Sequence, residues 1–161
     1  MTTETDALTV REVLARMDAG WTDFRGWVQA MPNEQLEERL GDGAWTRKQM
    51  LAHIATWHDL TVDRLTRFMD SGEPAELEEH EDAINARAAR AATGRTTGEI
   101  VQSVEDSFRR LHRQVSRLTD AQLVDQDGFA ASIIAGNSYG HYRQHLADLG
   151  APVERDEGPA E

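Results

Sequence analysis

Apolar residues recur along this chain at alternating steps of three and four, the spacing that lines one side of an α-helix. Val10, Leu14, Met17, Trp21, Phe24, Val28 and Met31 form the first stripe. Thr9 and Glu12 are spaced as a capping box at its start, Leu8 and Val13 as a hydrophobic staple, and Pro32 stops it. Gly20 and Gly26 lie inside at some cost in propensity, which seven periodic apolar positions outweigh. A second stripe, Met50, Leu51, Ile54, Trp57, Leu65, Phe68 and Met69, opens from a Thr46/Gln49 box with Trp45 and Met50 as staple, and ends at Ser71-Gly72. Thr96 and Glu99 open the third, which runs through Val101, Val104, Phe108, Leu111, Val115 and Leu118. The last helix is predicted from about Ser132 to Leu149, with Tyr139, Tyr142, Leu146 and Leu149 on its apolar side and Gly150 and Pro152 ending it.

The connections are short or polar. Glu34–Leu40 predicts a turn of helix before the breaker Gly41-Asp42-Gly43, and Ile84–Ala92 predicts a short helix ending at Gly94. Glu73–Asp82, with Pro74, reads as an acidic linker, solvated and mobile or forming a lid. Leu118-Thr119-Asp120-Ala121-Gln122-Leu123 echoes Met31-Pro32-Asn33-Glu34-Gln35-Leu36, as two helical hairpins of similar design would. No segment carries the two-residue period of a strand. The expectation is an all-α four-helix bundle over residues 1–150, with residues 1–8 frayed and 151–161 a disordered acidic tail.

Composition narrows the function classes. With 161 residues, 39% of them hydrophobic, the chain is long enough for one core. A net charge of −12, from 29 acidic and 17 basic residues, argues against nucleic acid as a partner. No apolar run spans a bilayer and no leader pattern opens the chain, so a soluble, cytoplasmic protein without a membrane partner is expected. The absence of cysteine removes disulfides, thiolate nucleophiles and thiolate ligands, leaving nitrogen and oxygen to hold any metal.

The candidate chemistry is histidine. On a helix, His141 and His145 stand one above the other and can share an ion. Most sites need a third ligand, and His53, between Met50 and Trp57 on the second helix, is the best candidate. Three imidazoles leave positions open for water or substrate and suit zinc, nickel, iron or copper, with zinc and nickel leading. Glu76, Glu78 and Glu81 are minor candidates for a further ligand or base. His58, five residues past His53, is expected to pack at the surface or core edge, and His80 and His112 to face solvent. Trp45 and Trp57 read first as staple and core, and, flanking His53, also as walls of a substrate pocket. No Ser-His-acid order stands out, so the catalytic group is unassigned; water or thiol activated by the metal is the expected attacker.

Trp45-Thr46-Arg47-Lys48-Gln49-Met50-Leu51-Ala52-His53-Ile54-Ala55-Thr56-Trp57 resembles the second-helix signature of the DinB/YfiT-like superfamily, and His141-Tyr142-Arg143-Gln144-His145 resembles its fourth-helix histidine pair. Asn85 and Asn137-Ser138-Tyr139-Gly140-His141-Tyr142 are similar to the ClbS/DfsB-type branch, several of whose members lack the full triad kept here. The resemblance implies an up-down-down-up bundle, homodimerisation, a metal on His53, His141 and His145, and a pocket that includes Asn85 and Tyr142. Activities in the superfamily include transfer of low-molecular-weight thiols, maleylpyruvate isomerisation and hydrolytic self-protection. The expected function is therefore a small metal-dependent hydrolase or thiol transferase acting on a small electrophilic or toxic compound, with a low-molecular-weight thiol as a candidate cofactor. The alternative is a ligand-sequestering bundle without a catalytic metal.

Overall fold

Helix α1 (Val10–Ala30) opens at Thr9, whose hydroxyl accepts from the Glu12 backbone N–H. The reciprocal half of the expected box, Glu12 accepting from the Thr9 N–H, does not form. Glu12 accepts from the Thr9 hydroxyl, and Asp120, 110 residues away, accepts the Val10 N–H at 2.9 Å. The computed structural model describes residues 7–40 and 45–148. The start of the chain, the Gly41-Asp42-Gly43 breaker, the Gly150/Pro152 stop and the acidic tail lie outside the described residues.

The expected turn at Glu34–Leu40 is shorter, α2 (Asn33–Leu36), because Arg39 pairs with Thr46 in an isolated antiparallel bridge and Leu40 donates to the Trp45 carbonyl. Helix α3 (Arg47–Ser71) carries the full Thr46/Gln49 capping box and closes on Gly72, whose φ of 75° is the left-handed conformation favoured at a helix C-terminus. The acidic linker is tied down at two points: Arg64 donates to the Ala75 carbonyl at 2.9 Å and Arg67 to that of Glu76 at 3.1 Å, while Ala75 is buried. The linker also ends earlier than expected. Glu81 and Asp82 form the first turn of α4 (Glu81–Thr93), where acidic side chains complement the helix dipole.

Helix α5 (Thr97–Ser116) has the expected box at Thr96/Glu99. The remainder departs from the single helix predicted from Ser132. A further capping box, Thr119/Gln122, opens α6 (Asp120–Asn137), whose backbone leaves the helix at Asp125 and passes through left-handed φ values of 52°, 56° and 74° at Gln126, Asp127 and Gly128 before turning helical again. Two of these residues have side chains, and each left-handed placement costs about 1–2 kcal/mol. Ser138 then interrupts the line, donating its hydroxyl to the Ile134 carbonyl, and α7 (Tyr139–Asp148) follows. Gly140 sits at this break because a Cβ there would stand 2.8 Å from the Ala135 carbonyl oxygen.

The structure is thus an all-α bundle, with no strand among the described residues. Helix α3 packs on α4, α5 and α6, and α7 on α1 and α6. Met17, Leu65, Phe68, Leu111, Leu123 and Ile134 fill one end of the core; Phe24, Leu51, Ile54, Ile100 and Tyr142 fill the other. Each such side chain contributes about 1.5–3 kcal/mol on burial. Gly20 lets α1 and α7 approach closely, its virtual Cβ lying 3.0 Å from the Tyr139 Cβ. That contact seats the histidine-bearing helix. No helix among the described residues is long and apolar enough to cross a membrane.

Candidate metal centre

His53 projects from α3, and His141 and His145 project from successive turns of α7. All three are buried, and their Nε2 atoms converge: His53 to His141 at 3.0 Å and His141 to His145 at 2.8 Å. The rings meet edge to face, with centroids 4.4–5.1 Å apart. Among the described residues no carboxylate joins the cluster, so the expectation of a ligand from Glu76, Glu78 or Glu81 is not met. The linker holding the first two is drawn to Arg64 and Arg67 instead, and Glu81 is taken up in the first turn of α4.

Desolvation lowers the His53 pKa to about 4, aided by the positive field of His145 and opposed by a hydrogen bond to Asn85. Desolvation, with the fields of His145, His53 and His58, lowers that of His141 to about 3. At neutral pH both rings are therefore uncharged, and each carries one lone pair. His141 Nε2 lies between the other two Nε2 atoms, and its Nδ1 is buried without a hydrogen-bond partner. One proton on His141 would have to serve two neighbours, whereas a cation satisfies all three nitrogens. The separations lie within a few tenths of an ångström of the roughly 3.0–3.4 Å between imidazole nitrogens that share one ion at about 2.1 Å. The residues present therefore fit a divalent metal.

The surroundings sort the other sequence candidates. Asn85 Oδ1 lies 3.0 Å from His53 Nδ1 and accepts from Trp57 Nε1–H at 2.8 Å, so Asn85 and Trp57 both sit directly behind the ligand. The Trp45 ring stands 5.3 Å from that of His53. Tyr142 turns the other way. Its ring stacks on Phe24 at 5.2 Å and its hydroxyl meets His58 Nε2 at 2.5 Å.

His58 corrects the expectation of a surface or core-edge histidine: it is fully buried. The Ser107 hydroxyl donates to the Val104 carbonyl, so its oxygen accepts from His58 Nδ1–H, and Nε2 is left to accept from Tyr142. The signal is present in the spacing. Leu51, Ile54, His58, Thr61 and Leu65 follow steps of three and four, and all are fully buried. His80 faces solvent and caps α4, while His112 is only partly exposed, 3.1 Å from Asp18.

In fold, the chain is similar to two solved structures: the mycothiol-dependent maleylpyruvate isomerase and a histidine-to-alanine mutant of it. Each aligns with a TM-score of 0.74 and 22% identity, covering 99% of this chain and 68% of that chain. At this identity the likeness speaks for the fold alone. No curated protein matches the sequence. A family model described as the DinB superfamily matches residues 16–148, a span that runs from α1 to the end of α7 and includes His53, His141 and His145. The bundle, the histidine geometry and this match lead to one assignment: the chain belongs to the DinB superfamily.

Proposed function

We propose that the protein is a small metal-dependent enzyme in which His53, His141 and His145 hold one divalent transition metal, zinc or nickel foremost. The observation that carries this is the convergence of three buried Nε2 atoms with no carboxylate drawn to them among the described residues. When bound, such an ion supplies Lewis acidity, easing deprotonation of a water or thiol and polarising a carbonyl oxygen.

The chain's own residues do the rest. The depressed basicity of His53 and His141 keeps both available as neutral ligands at neutral pH, and the α7 backbone holds His141 and His145 one turn apart. Trp45 flanks His53 with apolar surface that would exclude water from a substrate beside the ion, while Trp57 stands behind the ligand with Asn85. The reaction is thiol transfer or hydrolysis on a small electrophilic compound. The neighbour named as mycothiol-dependent supports the first, with a low-molecular-weight thiol as cosubstrate.

Elemental analysis of protein purified without a histidine tag, beside the His53→Ala variant, tests the reading. About one equivalent of transition metal in the first and none in the second is expected. A metal-free protein, even after incubation with zinc or nickel, overturns it. Loaded protein is then assayed for thiol addition to electrophiles and for hydrolysis, with the variant as control.

A further inference from the structure

The contacts behind His53 determine which of its nitrogens carries the hydrogen. An indole N–H can only donate, so the Asn85 side-chain atom 2.8 Å from Trp57 Nε1 must be the carbonyl oxygen. The same oxygen lies 3.0 Å from His53 Nδ1. A carbonyl only accepts, so Nδ1 bears the hydrogen and the neutral ring places its lone pair on Nε2, facing His141. Asn85 comes from α4, 32 residues from His53, so this arrangement depends on the packing of α4 against α3.

We propose that Asn85 and Trp57 together form a tautomer lock: Asn85 is a positioning residue that keeps His53 ready to ligate through Nε2, and Trp57 keeps the Asn85 amide from turning over. The inference rests on the metal reading above. An amide is ambiguous on its own. Turned by half a rotation it offers N–H to His53 Nδ1, which selects the other tautomer and points a hydrogen into the metal position. Trp57 removes that ambiguity because its N–H tolerates only the oxygen. A carboxylate at position 85 would accept with either oxygen and need no such guard.

This makes the role of Trp57 conditional on the residue at position 85, which packing alone would not. The test uses the full chain as wild type, Asn85→Leu, Asn85→Asp, Trp57→Phe and the Trp57→Phe/Asn85→Asp double variant. Zinc affinity is measured by competition with a chromophoric chelator, and the His53 tautomer in metal-free protein by nitrogen-15 NMR at a pH well above imidazole titration. Asn85→Leu is expected to lose about 10–100-fold in zinc affinity and to populate the Nε2–H tautomer, while Asn85→Asp retains both affinity and tautomer. Trp57→Phe should weaken zinc binding and mix the tautomers in the wild-type background, and change neither when added to Asn85→Asp. An equal loss from Trp57→Phe in both backgrounds, or an unchanged tautomer in Asn85→Leu, overturns the lock. If the wild type binds no zinc, the metal reading falls separately, and the tautomer comparison still decides whether Asn85 sets the state of His53.

Discussion

Tyr142 donates its hydroxyl to His58 Nε2 across 2.5 Å of buried core, one residue from the candidate ligand His141. Burial raises the Tyr142 pKa well above its ordinary value, so the phenol stays a donor, and the line from Tyr142 through His58 and Ser107 to the Val104 carbonyl has every member paired. Removing the hydroxyl leaves His58 Nε2 buried without a partner. Tyr142→Phe is therefore expected to cost about 1–3 kcal/mol, read as a lower urea midpoint with an unchanged slope. A Tyr142→Phe protein as stable as wild type would show that the contact contributes nothing.

The same residues mark how far the sequence can be read. His141 and His145 are legible because a spacing of four on a helix is local geometry, and His53 because it lies on a periodic apolar surface. His58 is legible in principle, since it continues the stripe of Leu51 and Ile54, but a histidine there reads as an interruption until Tyr142 and Ser107 are seen to satisfy both nitrogens. The partners of Asn85 are out of reach of spacing. Its hydrogen bonds to His53 and Trp57 are a product of how α4 returns along α3. The kinked α6 is hidden for the opposite reason: Thr119 and Gln122 are a local box, yet Asp125–Gly128 break the period before it can accumulate.

Acid should destabilise the metal-free protein in a defined window. Burial lowers the pKa of His53 to about 4 and those of His58 and His141 to about 3, from 6.5. For His58 desolvation acts first and the Arg110 charge second. Below pH 6.5 the unfolded chain binds protons that the folded chain refuses, so stability falls as pH drops towards 4; above 6.5 both forms are neutral and these groups contribute no slope. Each histidine adds up to about 1.4 kcal/mol per pH unit within the window. Urea midpoints of metal-free protein from neutral pH down to the lower edge of the window check this, and a flat profile below 6.5 would refute the neutral burial.

Gly140→Ala probes the seat of the histidine pair. A Cβ at this position meets the Ala135 carbonyl oxygen at 2.8 Å, a contact with backbone that cannot be relieved by turning a side chain. Helix propensity alone predicts a gain of about 1 kcal/mol from replacing glycine. The clash should reverse that sign, with a loss of about 1–3 kcal/mol and weaker zinc binding as α7 shifts. Gly26→Ala, where a Cβ meets nothing within 4 Å, is the control and should stabilise. Thermal melts of the two variants decide between propensity and packing.

Asp120 joins the first helix to the sixth, accepting the Val10 N–H while standing just after the Thr119 cap of its own helix. The contact satisfies a different first-turn donor, the Val10 N–H, from the Thr9 N–H that the expected box would have used. Asp120→Ala should therefore cost about 0.5–2 kcal/mol, as loss of a cap does, whereas Glu12→Ala, whose carboxylate contacts the exposed Thr9 hydroxyl, should cost less. Equal losses measured by denaturant titration would return the capping role to Glu12.

His141→Leu separates what the triad contributes to function from what it costs the fold. In metal-free protein His141 is crowded by two imidazole nitrogens at 2.8 and 3.0 Å, and its Nδ1 is buried without a partner. A buried polar group in that state costs about 1–3 kcal/mol, and leucine fills similar volume without it. The substitution also takes the partner from buried His53 Nε2, so the two effects oppose and the metal-free variant is expected to melt close to the wild-type temperature. Excess zinc at about a hundred times its dissociation constant should stabilise the wild type by about 2.7 kcal/mol and leave the variant unmoved. If the metal-free variant is markedly less stable than wild type, His141 is a structural hydrogen-bonding residue, and the convergence of the three histidines is a feature of the core and not of a metal centre.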